Sequence, residues 1–195
     1  MKPILFNEEM VNAILSGRKT QTRRLIKGIN PFHAEDYDGR LMIEDRNGDY
    51  IAAENFCRYK KGDTLYVRET WCVCDTCEAA PAICFGYKAS GVSAWKRINE
   101  FDYNKIIGNE LGGWHPSIHM PKIAARIFLE VENVRAERLH DISAADIKAE
   151  GVESGDINDF SRLWDSVVSP AMRHIYGREA NPWVYVIEFK EVSNV

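Results

Sequence analysis

The stretch Gly17–Arg24, with the sequence GRKTQTRR, decides how this chain is interpreted. It places four cationic side chains and two threonine hydroxyls within eight residues, while the chain as a whole carries a formal net charge of -4. A basic segment on an acidic protein indicates a local anion or nucleic-acid site. A hydroxyl near a lysine also indicates a nucleophile with its own base. A helix end whose basic side chains satisfy carbonyl groups and water is an equally open interpretation.

The residues before this stretch have the pattern of an amphipathic helix. Asn7 is a good N-cap, two glutamates follow it, and Gly17 stands where a C-terminal glycine belongs. The apolar residues at helical spacing are Met10, Val11, Ile14 and Leu15. Alternation within residues 19–24 then predicts a short strand, with Lys19 on the opposite face from Thr22 unless a turn or bulge intervenes.

The remaining periodic segments predict short strands with helices between them. The predicted strands are 41–43 and 50–51 (joined by Asn47-Gly48), 64–69, 83–88, 125–134 and 183–190. Ser143 and Asp146 predict a capping box, and a second amphipathic helix spans 160–167. Residues 91–121 show little periodicity and are expected to form a long loop. This mixture predicts an α+β fold, namely a small mixed β-barrel with flanking helices.

Composition limits the class of protein. A chain of 195 residues with 45% hydrophobic residues fits one domain with a real core. No apolar run approaches bilayer length and the N-terminus lacks the apolar region of a signal peptide, so we expect no membrane partner and a cytoplasmic location. Five cysteines, an odd number, are typical of a reducing compartment. No feature of the sequence indicates an oligomeric state.

Several segments together resemble an ASCH domain of the PUA-like superfamily of small β-barrels. The motifs are the GRKTQTRR run after its helix, Lys61–Val67 and the terminal Val184–Phe189. The similar segments are residues 1–26, 58–70, 124–151 and 181–190. Trp114–Pro121 makes the layout similar to ASCH proteins encoded by phages and prophages. The resemblance implies a single domain over 1–195, with insertions at about 28–60 and 71–122.

The ASCH family includes small bacterial amidohydrolases that remove the acetyl group from N4-acetylcytidine. The resemblance implies that Lys19 is the base, Thr22 the nucleophile and Glu150 the proton donor. Arg24 matches a further arginine of the motif, and either Arg24 or backbone amides near it would stabilise the oxyanion. The implied substrate is an acylated nucleoside or modified nucleobase, and no cofactor is required for this chemistry. Without the resemblance, Glu150 would be interpreted as a solvated residue near a helix end.

The alternative function is an RNA- or DNA-binding PUA-like module of phage origin, with nuclease activity as a weaker variant. In this alternative Arg18, Arg23 and Arg24 contact phosphate, while Trp114 and His119 contact bases or phosphate. Loop packing is the structural interpretation of the last two. The expected partner is a nucleoside or a short single-stranded nucleic acid, since the acidic balance disfavours a general RNA-coating role.

Arg68 and Glu69 form a second candidate pair for substrate or nucleic-acid binding. Neighbours on a strand point to opposite faces, so one of them is expected to face the interior or a cleft. A structural Arg–Glu bridge, with Trp71 in the core, is the other interpretation.

Four cysteines follow closely in the pattern C-x-C-x-x-C with a fourth beyond it. They are Cys72, Cys74, Cys77 and Cys84. Thiolates at such spacing hold structural zinc in other proteins, and one expectation is that these four do so here, with Cys57, His115 or His119 as alternatives for one of the ligands. The spacing departs from the usual two-knuckle pattern, so free thiols are the other interpretation.

Overall fold

The computed structural model describes residues 1–28, 34–38, 40–107 and 113–193, with the side chains of 34–37 outside the description. The fold is α+β, as predicted, with several sheets and five α-helices in these ranges. Within the same ranges no sheet closes into a barrel. The chain divides into two compact units. The first comprises Met1–Ser16, Thr64–Leu129 and Glu191–Val195, and the second comprises Gly17–Asp63 and Glu130–Lys190.

The elements have the following bounds. The strands are β1 (Lys2–Leu5), β2 (Gln21–Leu25), β3 (Ala34–Tyr37), β4 (Arg40–Glu44), β5 (Tyr50–Ala52), β6 (Thr64–Arg68), β7 (Trp71–Cys77), β8 (Ala82–Tyr87), β9 (Val92–Arg97), β10 (Phe128–Arg138) and β11 (Trp183–Glu191). The α-helices are α1 (Glu8–Leu15), α2 (Glu100–Ile107), α3 (Ala144–Ala149), α4 (Ile157–Val167) and α5 (Arg173–Tyr176).

The first unit is built around two sets of strands and the helix α1. Strand β1 pairs in parallel with β6, and β7, β8 and β9 form an antiparallel sheet in that order. Asn7 caps α1 as predicted, because its side chain accepts from the Met10 backbone N–H at 2.9 Å. The predicted apolar stripe is only partly buried, since Leu15 is 41% exposed.

The prediction of a long loop over 91–121 is wrong. Strand β9 and helix α2 both lie in this range. Strand β9 is an edge strand whose side chains are mostly exposed, so its sequence lacks the apolar alternation that marks a half-buried strand. One core cluster of this unit comprises Trp71, Val73, Ile83, Phe85, Tyr87, Tyr103, Met120 and Ala124.

The second unit carries the GRKTQTRR stretch. Strand β2 pairs antiparallel with β11, which lies beside β10, while β3, β4 and β5 form a separate antiparallel sheet. The hairpin through Asn47-Gly48 is confirmed, and Gly48 takes a φ of 87° that favours glycine. The capping box of α3 is also confirmed, with Ser143 and Asp146 bonded in both directions.

Among the described residues, no helix combines the length and the apolar character that crossing a bilayer requires.

Candidate functional site

Backbone contacts join the beginning of β2 to the end of α3. Gly17 has a φ of 72° at the turn after α1, and Lys19 then forms an isolated antiparallel bridge with Glu150. The Thr20 backbone N–H donates to the Ala149 carbonyl at 2.9 Å. Glu150 is the C-cap residue of α3. The capped helix therefore fixes where the Glu150 carboxylate stands relative to Lys19.

Lys19 and Glu150 form a buried ion pair. Lys19 Nζ donates to Glu150 Oε2 at 2.8 Å and to the Glu150 carbonyl oxygen at 2.7 Å. The side chain of Lys19 is 0% exposed and that of Glu150 is 5% exposed. Burial lowers the pKa of Lys19, the Glu150 charge opposes this, and the charges of Arg24 and Arg23 lower it further. A lysine with a lowered pKa is more often neutral, which is the form that acts as a base.

Arg23 holds the other oxygen of the Glu150 carboxylate. Its Nη1 donates to Glu150 Oε1 at 3.1 Å, and its Nη2 lies 2.5 Å from Glu137 Oε1 and 3.8 Å from Asp146 Oδ2. The Arg23 side chain is 1% exposed. Its guanidinium group is therefore engaged by carboxylates inside the protein rather than presented to a phosphate.

Arg135 extends this network on β10. It donates to Glu137 Oε2 at 2.9 Å and to Asp146 Oδ1 at 3.1 Å, and it also pairs with Glu188 of β11. The sequence contained one signal for this, because Arg135 and Glu137 occupy alternate positions of a predicted strand and therefore share a face. Two of the four cations of the basic stretch, Lys19 and Arg23, are therefore paired with carboxylates inside the protein. Together with Arg135 they contact four carboxylates, which are those of Glu137, Asp146, Glu150 and Glu188.

Thr22 lies between Gln21 and Arg23 on β2 and is 3% exposed. Gln21 donates to the Asp146 carbonyl at 3.1 Å, so Gln21 and Arg23 share the face directed toward α3. Strand alternation places Thr22 on the opposite face, together with Arg24. Burial lowers the pKa of Arg24, whose charge in turn acts on Lys19. The structure thus brings Lys19, Arg23 and Glu150 together and places Thr22 on the other side of the strand.

Arg18 pairs with a carboxylate at the surface of the protein. Its Nη1 is 3.6 Å from Glu153 Oε2, with both side chains well exposed. Exposed pairs of this kind contribute from about 0 to about 1 kcal/mol to stability.

Arg68 and Glu69 have separate partners in the first unit. Arg68 Nε donates to the Met120 carbonyl at 2.8 Å. Glu69, which is 1% exposed, accepts both arms of the Arg126 guanidinium at 2.8 and 2.9 Å. An Arg–Glu bridge does form, but with Arg126, which no local pattern near Glu69 indicates. Trp71, two positions after Glu69 in the sequence, is buried in the core.

Trp114 and His119 also belong to the first unit. Trp114 is 51% exposed, and His119 lines a cavity of about 450 Å³. The other lining residues are Trp71, Asp102, Lys105, Ile106, His115, Pro121 and Ile123. Trp114 and His119, like Arg68 and Glu69, thus belong to a different unit from the candidate catalytic residues.

The four cysteines of the zinc expectation lie on the β7–β8 hairpin. Cys72 and Cys74 have their sulfurs 3.5 Å apart, Cys84 stands opposite Asp75, and Cys77 stands opposite Ala82. Over the ranges that the structure describes, no group of three or more His, Cys, Asp or Glu side chains is arranged to hold a metal ion. The zinc site stays a prediction, which metal analysis of the purified protein tests.

A scan against protein-family models, a search of curated proteins and a search of solved structures each found no match to this chain. The function is therefore argued from the site itself.

Proposed function

We propose that this protein is an amidohydrolase that removes the acyl group from an acylated nucleoside or nucleobase of the N4-acetylcytidine type. The observation that supports this most directly is the buried contact between Lys19 and Glu150, at 2.8 Å. A PUA-like fold of the ASCH type and action on a cytoplasmic nucleoside or a short single strand belong to the same proposal.

The Lys19–Glu150 pair supplies a base and an acid in one place. Burial lowers the pKa of Lys19, so the neutral amine is present at a lower pH than for an exposed lysine. A neutral amine can accept the proton of a threonine hydroxyl, and a carboxylic acid can protonate a leaving amine. An arginine in place of Lys19 would keep its proton and would not serve as a base.

The proposed reaction has two stages. Opening of the site first brings Thr22 Oγ1, which faces away from Lys19 in the structure, within reach of Lys19 Nζ. The neutral amine then accepts the hydroxyl proton, the oxygen attacks the acyl carbon, and the carbon–nitrogen bond breaks. The accepted proton passes from Lys19 through Glu150 to the leaving nitrogen. Water then attacks the acyl-threonine ester and releases the carboxylic acid, which returns Thr22 to its hydroxyl form. Arg24 provides positive charge for the developing oxyanion.

Burial sets a condition on this mechanism. Lys19, Thr22 and Glu150 are 2%, 3% and 5% exposed. A substrate reaches the threonine hydroxyl only after covering side chains move aside. We therefore expect turnover to be limited by opening of the site, as happens in enzymes gated by a conformational step.

The nucleic-acid-binding alternative receives less support from the charges. It requires the arginines of the stretch to be available to phosphate, but Arg23 is held by three carboxylates and is 1% exposed. Strong, salt-sensitive RNA binding that is lost in Arg24→Gln but kept in Thr22→Val would favour this alternative over the enzyme.

The test is acetate release from N4-acetylcytidine, followed by chromatography of the cytidine product. Thr22→Val keeps the shape of the side chain but lacks the hydroxyl, so it should abolish release, whereas Thr22→Ser should retain part of it. Thr20→Val is the matched control, because Thr20 is an exposed threonine of the same stretch.

Full activity in folded Thr22→Val would contradict the nucleophile assignment. If the wild-type protein releases no acetate from either N4-acetylcytidine or N4-acetylcytosine, the proposed function is wrong.

A further inference from the structure

Two thiols on β7 are held against each other. Cys72 Sγ and Cys74 Sγ are 3.5 Å apart. The register of β7 against β8 shifts between Val73 and Asp75, which leaves Cys74 without an opposite residue. Val73 lies in the core, so the two cysteines flanking it occupy the other face of the strand. Cys74 is exposed and Cys72 is half-buried.

Gly86 makes the room that the two sulfurs occupy. It stands opposite Cys72 on β8, and a Cβ at this position would lie 2.5 Å from Cys74 Sγ and 2.7 Å from Cys72 Sγ. The φ of Gly86 is outside the left-handed region, so the backbone conformation does not require a glycine here. A glycine is required because any Cβ at this position would collide with the two thiols. Trp114 borders the same space, with Cη2 3.9 Å from that Cβ position.

We propose that Cys72 and Cys74 form a dithiol site that reduces low-molecular-weight disulfides such as oxidised glutathione and closes to an intramolecular disulfide. The Cys74 thiolate attacks one sulfur of the small disulfide, which forms a mixed disulfide and releases one thiol. Cys72 then attacks the Cys74 sulfur, the bond to the second small thiol breaks, and that thiol leaves. Two protein thiols lose two protons and two electrons, and the small disulfide gains them.

The geometry favours closure by Cys72. Residues two apart in a regular strand have Cα atoms about 6.7 Å apart, close to the upper limit of about 6.8 Å for a disulfide. The bulge bends the strand, and the two sulfurs are already in contact. Closure therefore requires side-chain rotation rather than backbone rearrangement, and an intramolecular thiol outcompetes a second small molecule.

The exposed thiol is the one that reacts first. Cys74 is open to an approaching small disulfide, whereas Cys72 is half-buried and is placed to attack the mixed disulfide in the second step.

The experiment exposes the full-length folded protein to oxidised glutathione and analyses the product by intact mass and peptide mapping. The expected product has lost two hydrogens, carries no glutathione and links Cys72 to Cys74. Cys72→Ser should trap glutathione on Cys74, and Cys74→Ser should form no internal disulfide. Cys77→Ser, a matched substitution on the same strand, should behave as the wild type. Gly86→Ala should slow closure at least about tenfold, because its methyl group displaces both sulfurs.

Three results would overturn the proposal. They are stable glutathione on wild-type Cys74, a disulfide from Cys74 to Cys84 or Cys77, and equal closure rates in Gly86→Ala and the wild type. If Gly86→Ala does not fold, the serine variants still decide the matter, because cysteine and serine are nearly isosteric.

Discussion

Each of the two units contains a buried glutamate that accepts hydrogen bonds from an arginine, but the two glutamates differ in their other partners. Both carboxylate oxygens of Glu69 accept hydrogen bonds from the guanidinium group of Arg126. In Glu150, one carboxylate oxygen accepts from Arg23 and the other accepts from Lys19. An arginine keeps its proton under all ordinary conditions, whereas a buried lysine can lose it. Both sites are buried ion pairs, and only the second contains a proton that can move.

The surroundings of the two arginines reinforce this difference. Arg126 also donates to Ser90 Oγ at 2.9 Å and lies 4.2 Å from the centre of the Tyr87 ring, so it is fixed by neutral neighbours. Arg23 is shared among carboxylates of β10 and α3. Glu69, Arg126 and Tyr87 therefore form a fixed arrangement, which we call the structural clamp. Arg23, in contrast, distributes positive charge around the Lys19–Glu150 pair.

The largest expected effect separates the two glutamates by activity. Glu150→Gln should lower the rate of deacetylation of N4-acetylcytidine by about a thousandfold, in line with the loss of a general acid. Glu69→Gln should leave the rate of the folded fraction unchanged. The measurement is kcat per folded protein at a temperature where both variants are folded. Equal losses in both would remove the distinction between the two sites.

The free energy of unfolding, in contrast to the activity, should depend strongly on Glu69. Glu69→Gln leaves the half-buried Arg126 without a counter-charge and should lower the free energy of unfolding by about 3 kcal/mol. The double change Glu69→Leu with Arg126→Met should recover much of it, since an apolar pair often replaces a buried ion pair without loss. Urea denaturation measures both, with the exposed Glu153→Gln as a control that should cost less than about 1 kcal/mol. An additive double variant would show that the pair is not coupled.

The pH dependence of activity and of stability should distinguish Lys19, which can lose its proton, from an arginine, which keeps it. The activity should rise about tenfold per pH unit while Lys19 is protonated and level off at its lowered pKa, below 10.5. Between that pKa and 10.5 the unfolded chain binds more protons at this position than the folded chain, so the contribution of Lys19 to the unfolding free energy rises with pH. Lys19→Met should remove this part of the pH dependence of stability. A kcat/KM profile that stays flat over the whole pH range below 10.5 in which the protein is folded would contradict a lysine base.

The smallest effect tests how the structural clamp is held. Tyr87→Phe removes the hydrogen bond from its hydroxyl to the Ala124 carbonyl, 2.8 Å long, but keeps the ring beneath Arg126. It should therefore cost only about 1 kcal/mol of unfolding free energy. Tyr87→Leu, which also removes the ring, should cost more, and equal losses would show that the ring does not contribute to holding Arg126.

Local patterns predicted the elements that local chemistry controls. The Asn7 cap, the Asn47-Gly48 hairpin and the Ser143–Asp146 box each depend on residues within a few positions of one another. Strand β9 was missed because edge strands need little apolar alternation. The partners of Arg23 and Glu69 lie far along the chain, so tertiary packing rather than local sequence selects them.

Only part of the candidate site could be predicted from the sequence. The pairing of Lys19 with Glu150 was implied by resemblance, and their contact is present. The carboxylates that neutralise Arg23 were not anticipated, because charge counting along a stretch ignores what the fold brings to it. Whether the Thr22 hydroxyl takes part remains a prediction.

The alternation of β2 has a consequence for how this protein can change over generations. Gln21 and Arg23 reach α3 only because they stand two positions apart, with Thr22 facing the other way. Gaining or losing one residue between the Gly17 turn and Arg23 would reverse the face of every side chain beyond it. Natural variation in this stretch is therefore expected to exchange residues freely at exposed Thr20, while deletions and duplications of single codons are eliminated.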